Sequence, residues 1–171
     1  MIRSSLRAIV LMAVCAAPAL AQESTNVVGT HGDWTVFAAS NPKECWAVSP
    51  PKKTVNTRDG QPADVRRGDI RLYVAYRPGT GQGEVSFAGG YPFAPDSTVD
   101  VTIGGQKFSL FTEGENAWTG STTEDARLIA ALRAGAEAVV SGRSSRGTRT
   151  TDTFSLSGIT AATDRAREAC R

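Results

Sequence analysis

The chain has 171 residues, of which 19 are Lys or Arg and 17 are Asp or Glu, with a single histidine and three cysteines. So even a balance excludes a strongly basic nucleic-acid binder, and one histidine excludes a histidine cluster for zinc. The cysteines are too widely spaced for a metal knuckle.

Residues 1–21 read as a secretory signal peptide. Arg3 and Arg7 supply positive charge, "AIVLMAVCAAPALA" is an uncharged and mostly apolar run, and Ala19-Leu20-Ala21 forms a small-x-small cleavage site before Gln22. The run is short for a membrane span, so no transmembrane segment is expected after cleavage. Cleavage removes two of the 19 basic residues and no acidic one, which leaves 17 of each in a mature chain of 150 residues. That length suits one domain with its own core. The expected location is outside the inner membrane, in the periplasm, at the cell surface or in the medium.

Cleavage also removes Cys15, whose lipidation would otherwise tether the protein, and leaves Cys45 and Cys170. In an oxidising compartment this pair reads most simply as a disulfide. The chain-entropy model assigns so long a loop about 4–5 kcal/mol. The alternative is a catalytic cysteine, for which His31 is the one available imidazole.

Residues 22–31 read as a flexible lead-in and 32–171 as the domain. "DWTVFAAS" alternates as a strand with Trp34, Val36 and Ala38 on one face, and "ECWAVS" is a second strand. "PPKKTVNTRDGQPADVRRG" is polar, broken by Pro and Gly, and reads as a long loop. "DIRLYVAYRP" sends Ile70, Leu72, Val74 and Tyr76 one way, and "GTGQG" turns into "EVSFAGGYPF". "STVDVTIGGQKFSLFT" is a hairpin around Gly104-Gly105, the dipeptide that a tight primed turn requires. "NAWTG" adds a short edge.

A helix follows, with Thr122 or Thr123 as its cap and Glu124 and Asp125 in its first turn. It carries a stripe of Leu128, Ile129 and Leu132 and ends at Gly135. "AEAVVSGRSS" and "TRTTDTFSLS" form the last hairpin. Ser157 then caps a final helix that carries Cys170 back to the body. Eight or nine strands and two short helices imply an all-β fold, a β-sandwich in narrow preference to a barrel on length and irregular loops.

Enzyme signatures are scarce, so no catalytic residue, metal or cofactor is expected. "GTGQG" lies between two strands, whereas a dinucleotide loop needs a strand before it and a helix after. Arg67-Gly68-Asp69 reads as a turn and strand start, not as an integrin ligand. Trp34, Trp46 and Trp118 lie on strands and read as core or rim, not as sugar platforms.

The last hairpin is the most informative stretch. Phe154 and Leu156 must point inward, so Thr151, Thr153 and Ser155 point outward and Asp152 shares the core face. A carboxylate there needs a cation, and Arg143 or Arg149 is the nearest in sequence. The remaining arginines around Arg146 form a local positive patch suited to bidentate contact with an anion. Arg143, Arg146 and Arg149 are thus the candidate anion-binding residues.

"GDWTVF", "CWAVSPP", "RRGDIRLYVAYRP" and "SGRSSRGTRTTDTFSLSGITAA" with a terminal cysteine, in that order, resemble the invasion associated locus B family. The resemblance runs from about Gly32 to Cys170. It implies an exported protein of Gram-negative, mainly alphaproteobacterial cells, with an immunoglobulin-like β-sandwich. The family is named for a member linked to entry of bacteria into host red cells, and no catalytic or ligand-binding residue is carried over from it. The expected function is binding, not catalysis, with an anionic surface glycan, a lipid, or a host or envelope protein as partner. A periplasmic envelope factor with no host role is the alternative, and a hydrolase the lesser one.

Overall fold

Alternating segments fold as strands wherever one of their faces can be buried. The computed structural model describes residues 26–171, and the signal peptide expected at 1–21 lies outside them. The first strands are β1 (Val27–His31), β2 (Trp34–Ser40), β3 (Lys43–Ser49), β4 (Lys53–Arg58), β5 (Gln61–Pro62) and β6 (Arg71–Tyr76). Next come β7 (Gly83–Ala88), β8 (Thr98–Ile103), β9 (Gln106–Glu113) and β10 (Asn116–Trp118). Helix α1 (Thr122–Ala134), strands β11 (Glu137–Arg143) and β12 (Arg149–Ser155), and helix α2 (Ile159–Ala169) complete the described chain.

The strands join in one antiparallel sheet, in the order β1-β2-β3-β6-β7-β10-β9-β8-β11-β12-β4-β5. The fold is all-β with two helices. The sheet curls until distant strands meet. Phe87 on β7 and Phe154 on β12 touch edge to face with ring centroids 6.1 Å apart, and Trp34 Nε1 on β2 donates to the Ser155 carbonyl at 3.0 Å. The inner face is therefore closed and carries the core, including Trp34, Leu72, Val74, Phe87 and Phe154, all fully buried. Helix α2 packs on β1, β2, β3 and β6, and α1 on β7. Among the described residues, no helix packs on the outer face of β2, β3, β6, β7 and β10.

A disulfide joins Cys45 on β3 to Cys170 just after α2, with Cα atoms 5.6 Å apart, and so staples the last helix to the sheet. Neither sulfur remains as a free thiol.

Several elements differ from the sequence reading. The last five residues of the expected lead-in form β1, which pairs with β2. The expected loop at 50–68 contains β4 and β5. Thr54, Asn56 and Arg58, on the inner side of β4, are polar because they bond Asp152, Arg67 and Thr148, so hydrophobic alternation had nothing to show there. The expected edge "NAW" is an interior strand, β10, which bridges β7 and β9.

Both helix caps also shift. Ser121, not Thr122 or Thr123, caps α1, where its side chain accepts from Glu124 N. Gly158, not Ser157, caps α2 and has no side-chain bond to offer. Gly158 sits at φ +91°, and a Cβ there would lie 2.0 Å from the His31 carbonyl oxygen. A glycine is the residue that this close approach to the β1–β2 turn admits. Ser157 instead accepts from Asp33 N through its carbonyl.

Strand β10 ends at Trp118, opposite Ser86, so the Val85 N–H lies beyond its reach. Asp125 of α1 takes that bond with Oδ1 at 2.7 Å. Burial pushes the Asp125 carboxyl above the usual carboxylate value, and the Val85 N–H only partly offsets it.

Candidate functional site

The β11–β12 turn is held firmly. Ser144 N donates to Thr148 O and Gly147 N to Ser144 O, which closes the turn. Ser145 N then donates to Pro92 O, and Ala94 N to Arg143 O, which dock it on the segment after β7. Gly147 sits at φ +82°, the left-handed conformation that the turn requires.

Beneath this turn is an open cleft of about 540 Å³. Its cations are Arg58 from β4, Arg66 and Arg67 from the segment before β6, and Arg146 from the turn. Tyr91, Ser144, Ser145, Thr148 and Thr150 add hydroxyls, and Asp64 and Glu115 stand among the lining residues as the acids.

Arg67 and Asp152 build the floor. Arg67 Nη1 donates to Asp152 Oδ1 at 2.8 Å and Nη2 to Oδ2 at 2.7 Å. The same guanidinium donates from Nε and Nη2 to the Gly89 carbonyl and from Nη1 to Asn56 Oδ1. All five of its N–H groups are thereby engaged. Thr54 Oγ1 is the third donor to the Asp152 carboxylate, reaching Oδ1 at 2.9 Å. The guanidinium also lies 4.9 Å from the centre of the Tyr91 ring. Burial holds the Tyr91 phenol above its ordinary pKa, so it stays protonated. Its hydroxyl meets Thr150 Oγ1 at 2.6 Å.

Asp152 is buried and paired, as its place in the hairpin implied, but its partner is Arg67 and neither Arg143 nor Arg149. The reason is strand parity. The alternation that turns Asp152 inward turns Arg149 outward, and Arg143 is its register partner on that same outer side. The predicted arginine triplet is therefore divided. Arg146 lines the cleft, while Arg143 and Arg149 stand exposed on the opposite face of the hairpin.

Arg58 donates to Thr148 Oγ1 at 2.8 Å and makes no ion pair among the described residues. Arg66 and Arg146 make no ion pair among the described residues. Three guanidinium groups thus face the cleft, and forks of this kind match the two oxygens of a carboxylate, phosphate or sulfate. Sequence reasoning missed Arg58, Arg66 and Tyr91 because they arrive on segments without periodicity. The adjacent arginines of "RRGD" were the visible signal. Arg67 in that triplet is buried against Asp152 while Asp69 is exposed, so the three residues are not displayed as one unit.

The family model for the invasion associated locus B (IalB) protein matches residues 34–167. The chain belongs to the invasion associated locus B family. Among solved structures, this chain is similar to invasion associated protein B from Bartonella henselae, with a TM-score of 0.56. That match is 16% identical and covers 81% of this chain and 94% of that one. At this identity the likeness shows a shared fold. A comparison with curated proteins finds no match. Among the described residues, no helix is long and apolar enough to cross a membrane, and no group of three His, Cys, Asp or Glu side chains could hold a metal ion.

Proposed function

We propose that this protein is an exported bacterial binding protein, built on an immunoglobulin-like sandwich, that recognises an anionic group on its partner and does not turn over a substrate. The observation that carries this reading is the cleft in which Arg58, Arg66 and Arg146 surround an already satisfied Arg67–Asp152 floor. The cleft is preorganised, because the turn bearing Arg146 is bonded to the segment at 92–94 and the floor has no free donor to rearrange. Preorganisation lowers the ordering cost of binding. A family named for invasion, and a structural neighbour titled an invasion associated protein, support a partner on a host-cell surface.

The test uses the chain from residue 22 onward, with heparin oligosaccharides and inorganic phosphate as probes. The reading expects saturable binding that weakens with added salt, as a site of partly exposed charges must. Arg66→Ser and Arg146→Ser should each weaken it about tenfold, the loss of one charge-assisted contact, with melting temperature unchanged. Absence of binding to either probe at low salt overturns the reading, as does binding that both variants leave intact.

A further inference from the structure

The side of the sheet turned away from the core carries a second concavity, which shares no lining residue with the arginine cleft. Trp46 on β3, Tyr73 on β6 and Trp118 on β10 stand around a floor of Ala75 and Ser86, with a volume of about 300 Å³. The register explains the trough. Trp46 lies opposite Ala75, Tyr73 opposite Ser86, and Ser86 opposite Trp118, so each ring borders a small residue. Three strand spacings, about 14 Å, separate the strand of one indole from that of the other.

Both indoles are braced from behind. Phe37 stacks on Trp46 with centroids 5.7 Å apart and planes 13° apart, and Phe111 lies 5.8 Å from Trp118 at 31°. Neither indole belongs to the core, although Trp34 does. The sequence reading of the three tryptophans as core or rim fits Trp34 in the core and the half-buried Trp46 and Trp118 outside it, and the register makes those two the walls of one trough.

Charge selects the occupant. Arg77 closes one end of the trough, paired with Glu44 Oε1 at 2.8 Å and Glu84 Oε2 at 2.9 Å. An anion would face two carboxylates, and a cation would have to displace Arg77. An apolar protein surface would strip water from this ion-pair cluster and from the Tyr73 hydroxyl without replacing the lost hydrogen bonds. A neutral, hydroxyl-rich chain has complementary partners throughout. The C–H faces of its sugar rings lie on the aromatic walls, and its hydroxyls reach the donors of Arg77, the carboxylates and Ser86. We propose that this trough is a binding site for a neutral glycan chain.

Intrinsic tryptophan emission tests it, because the third tryptophan, Trp34, is fully buried and away from the ligand. The chain from residue 22 onward is titrated with cellohexaose, maltohexaose and chitohexaose. The expected result is a saturable shift in emission with at least one of them. Affinity should fall about tenfold in Trp118→Ala, the loss of one aromatic contact. Ser86→Arg, an outward-facing change that keeps every ring but fills the floor, should abolish binding while leaving the melting temperature in place. Arg146→Ser should have no effect, which separates this site from the arginine cleft.

No response to any of the three sugars overturns the proposal. So does a response that Trp118→Ala and Ser86→Arg leave intact. Self-association that Ser86→Arg abolishes, without any response to sugar, would assign the face to a second copy of the chain.

Discussion

Arg67 and Asp152, 85 residues apart in sequence, meet fork to fork through contacts of 2.7 and 2.8 Å, with side chains 5% and 0% exposed. This pair fixes the segment before β6 against β12 and so builds the floor of the cationic cleft. Removing one partner leaves a buried charge uncompensated. Arg67→Met or Asp152→Leu alone should cost about 3–5 kcal/mol in urea denaturation. The double variant should recover much of that loss, because both charges leave together.

The division of the arginine triplet gives a contrast within one hairpin. Arg146→Ser is expected to weaken anion binding, whereas Arg143→Ser and Arg149→Ser should leave it unchanged because they face the other way. All three should fold normally, since exposed charges contribute about 0–1 kcal/mol. Titration with heparin oligosaccharides, alongside thermal melts, checks both halves of this expectation.

Asp125 predicts a pH dependence. Its folded-state pKa is raised above the ordinary 3.8, chiefly by burial. The folded state therefore holds the proton more tightly than the unfolded chain. The stability this contributes is complete below the ordinary value and is lost as pH rises through the elevated one. Asp125→Asn keeps an oxygen for the Val85 N–H and removes that loss. The variant should melt no lower than the parent at neutral pH, and its advantage should shrink as the solution is acidified. Thermal melts across that range decide it.

Gly158→Ala should be severely destabilising. The left-handed conformation alone costs about 1–3 kcal/mol for a residue with a Cβ, and here the added carbon would also meet His31 O at 2.0 Å. Gly60→Ala is the useful comparison, because its φ of +79° is as unfavourable but nothing lies within 4 Å of its Cβ. Denaturation midpoints of the two variants separate backbone strain from collision.

Reducing the Cys45–Cys170 bond should lower stability by about 4–5 kcal/mol, the loop-closure entropy of a cross-link this distant in sequence. The measurement is urea denaturation with and without reductant. The Cys45→Ala, Cys170→Ala double variant should match the reduced protein.

Local rules were enough wherever a segment carried its own signal. Alternation placed Leu72, Val74 and Phe154 inward, Gly104-Gly105 marked the β8–β9 turn, and Gly135 marked the end of α1. Asp152 was placed on the core face by the same alternation. Its partner was not legible, because Arg67 arrives from a polar segment whose return to the sheet depends on β4 pairing with β12. Strand β10 was legible as a strand and not as an interior one, since three residues carry no information about who pairs with them.

The two candidate sites divide in the same way. Sequence alone determined the residue types, the inward and outward parity of each clear strand, and the pairing of two cysteines. The curling of one continuous sheet decided which arginines share a cleft and which tryptophans face solvent. Strand order is set by the pairing of distant segments, and no local pattern of side chains encodes it.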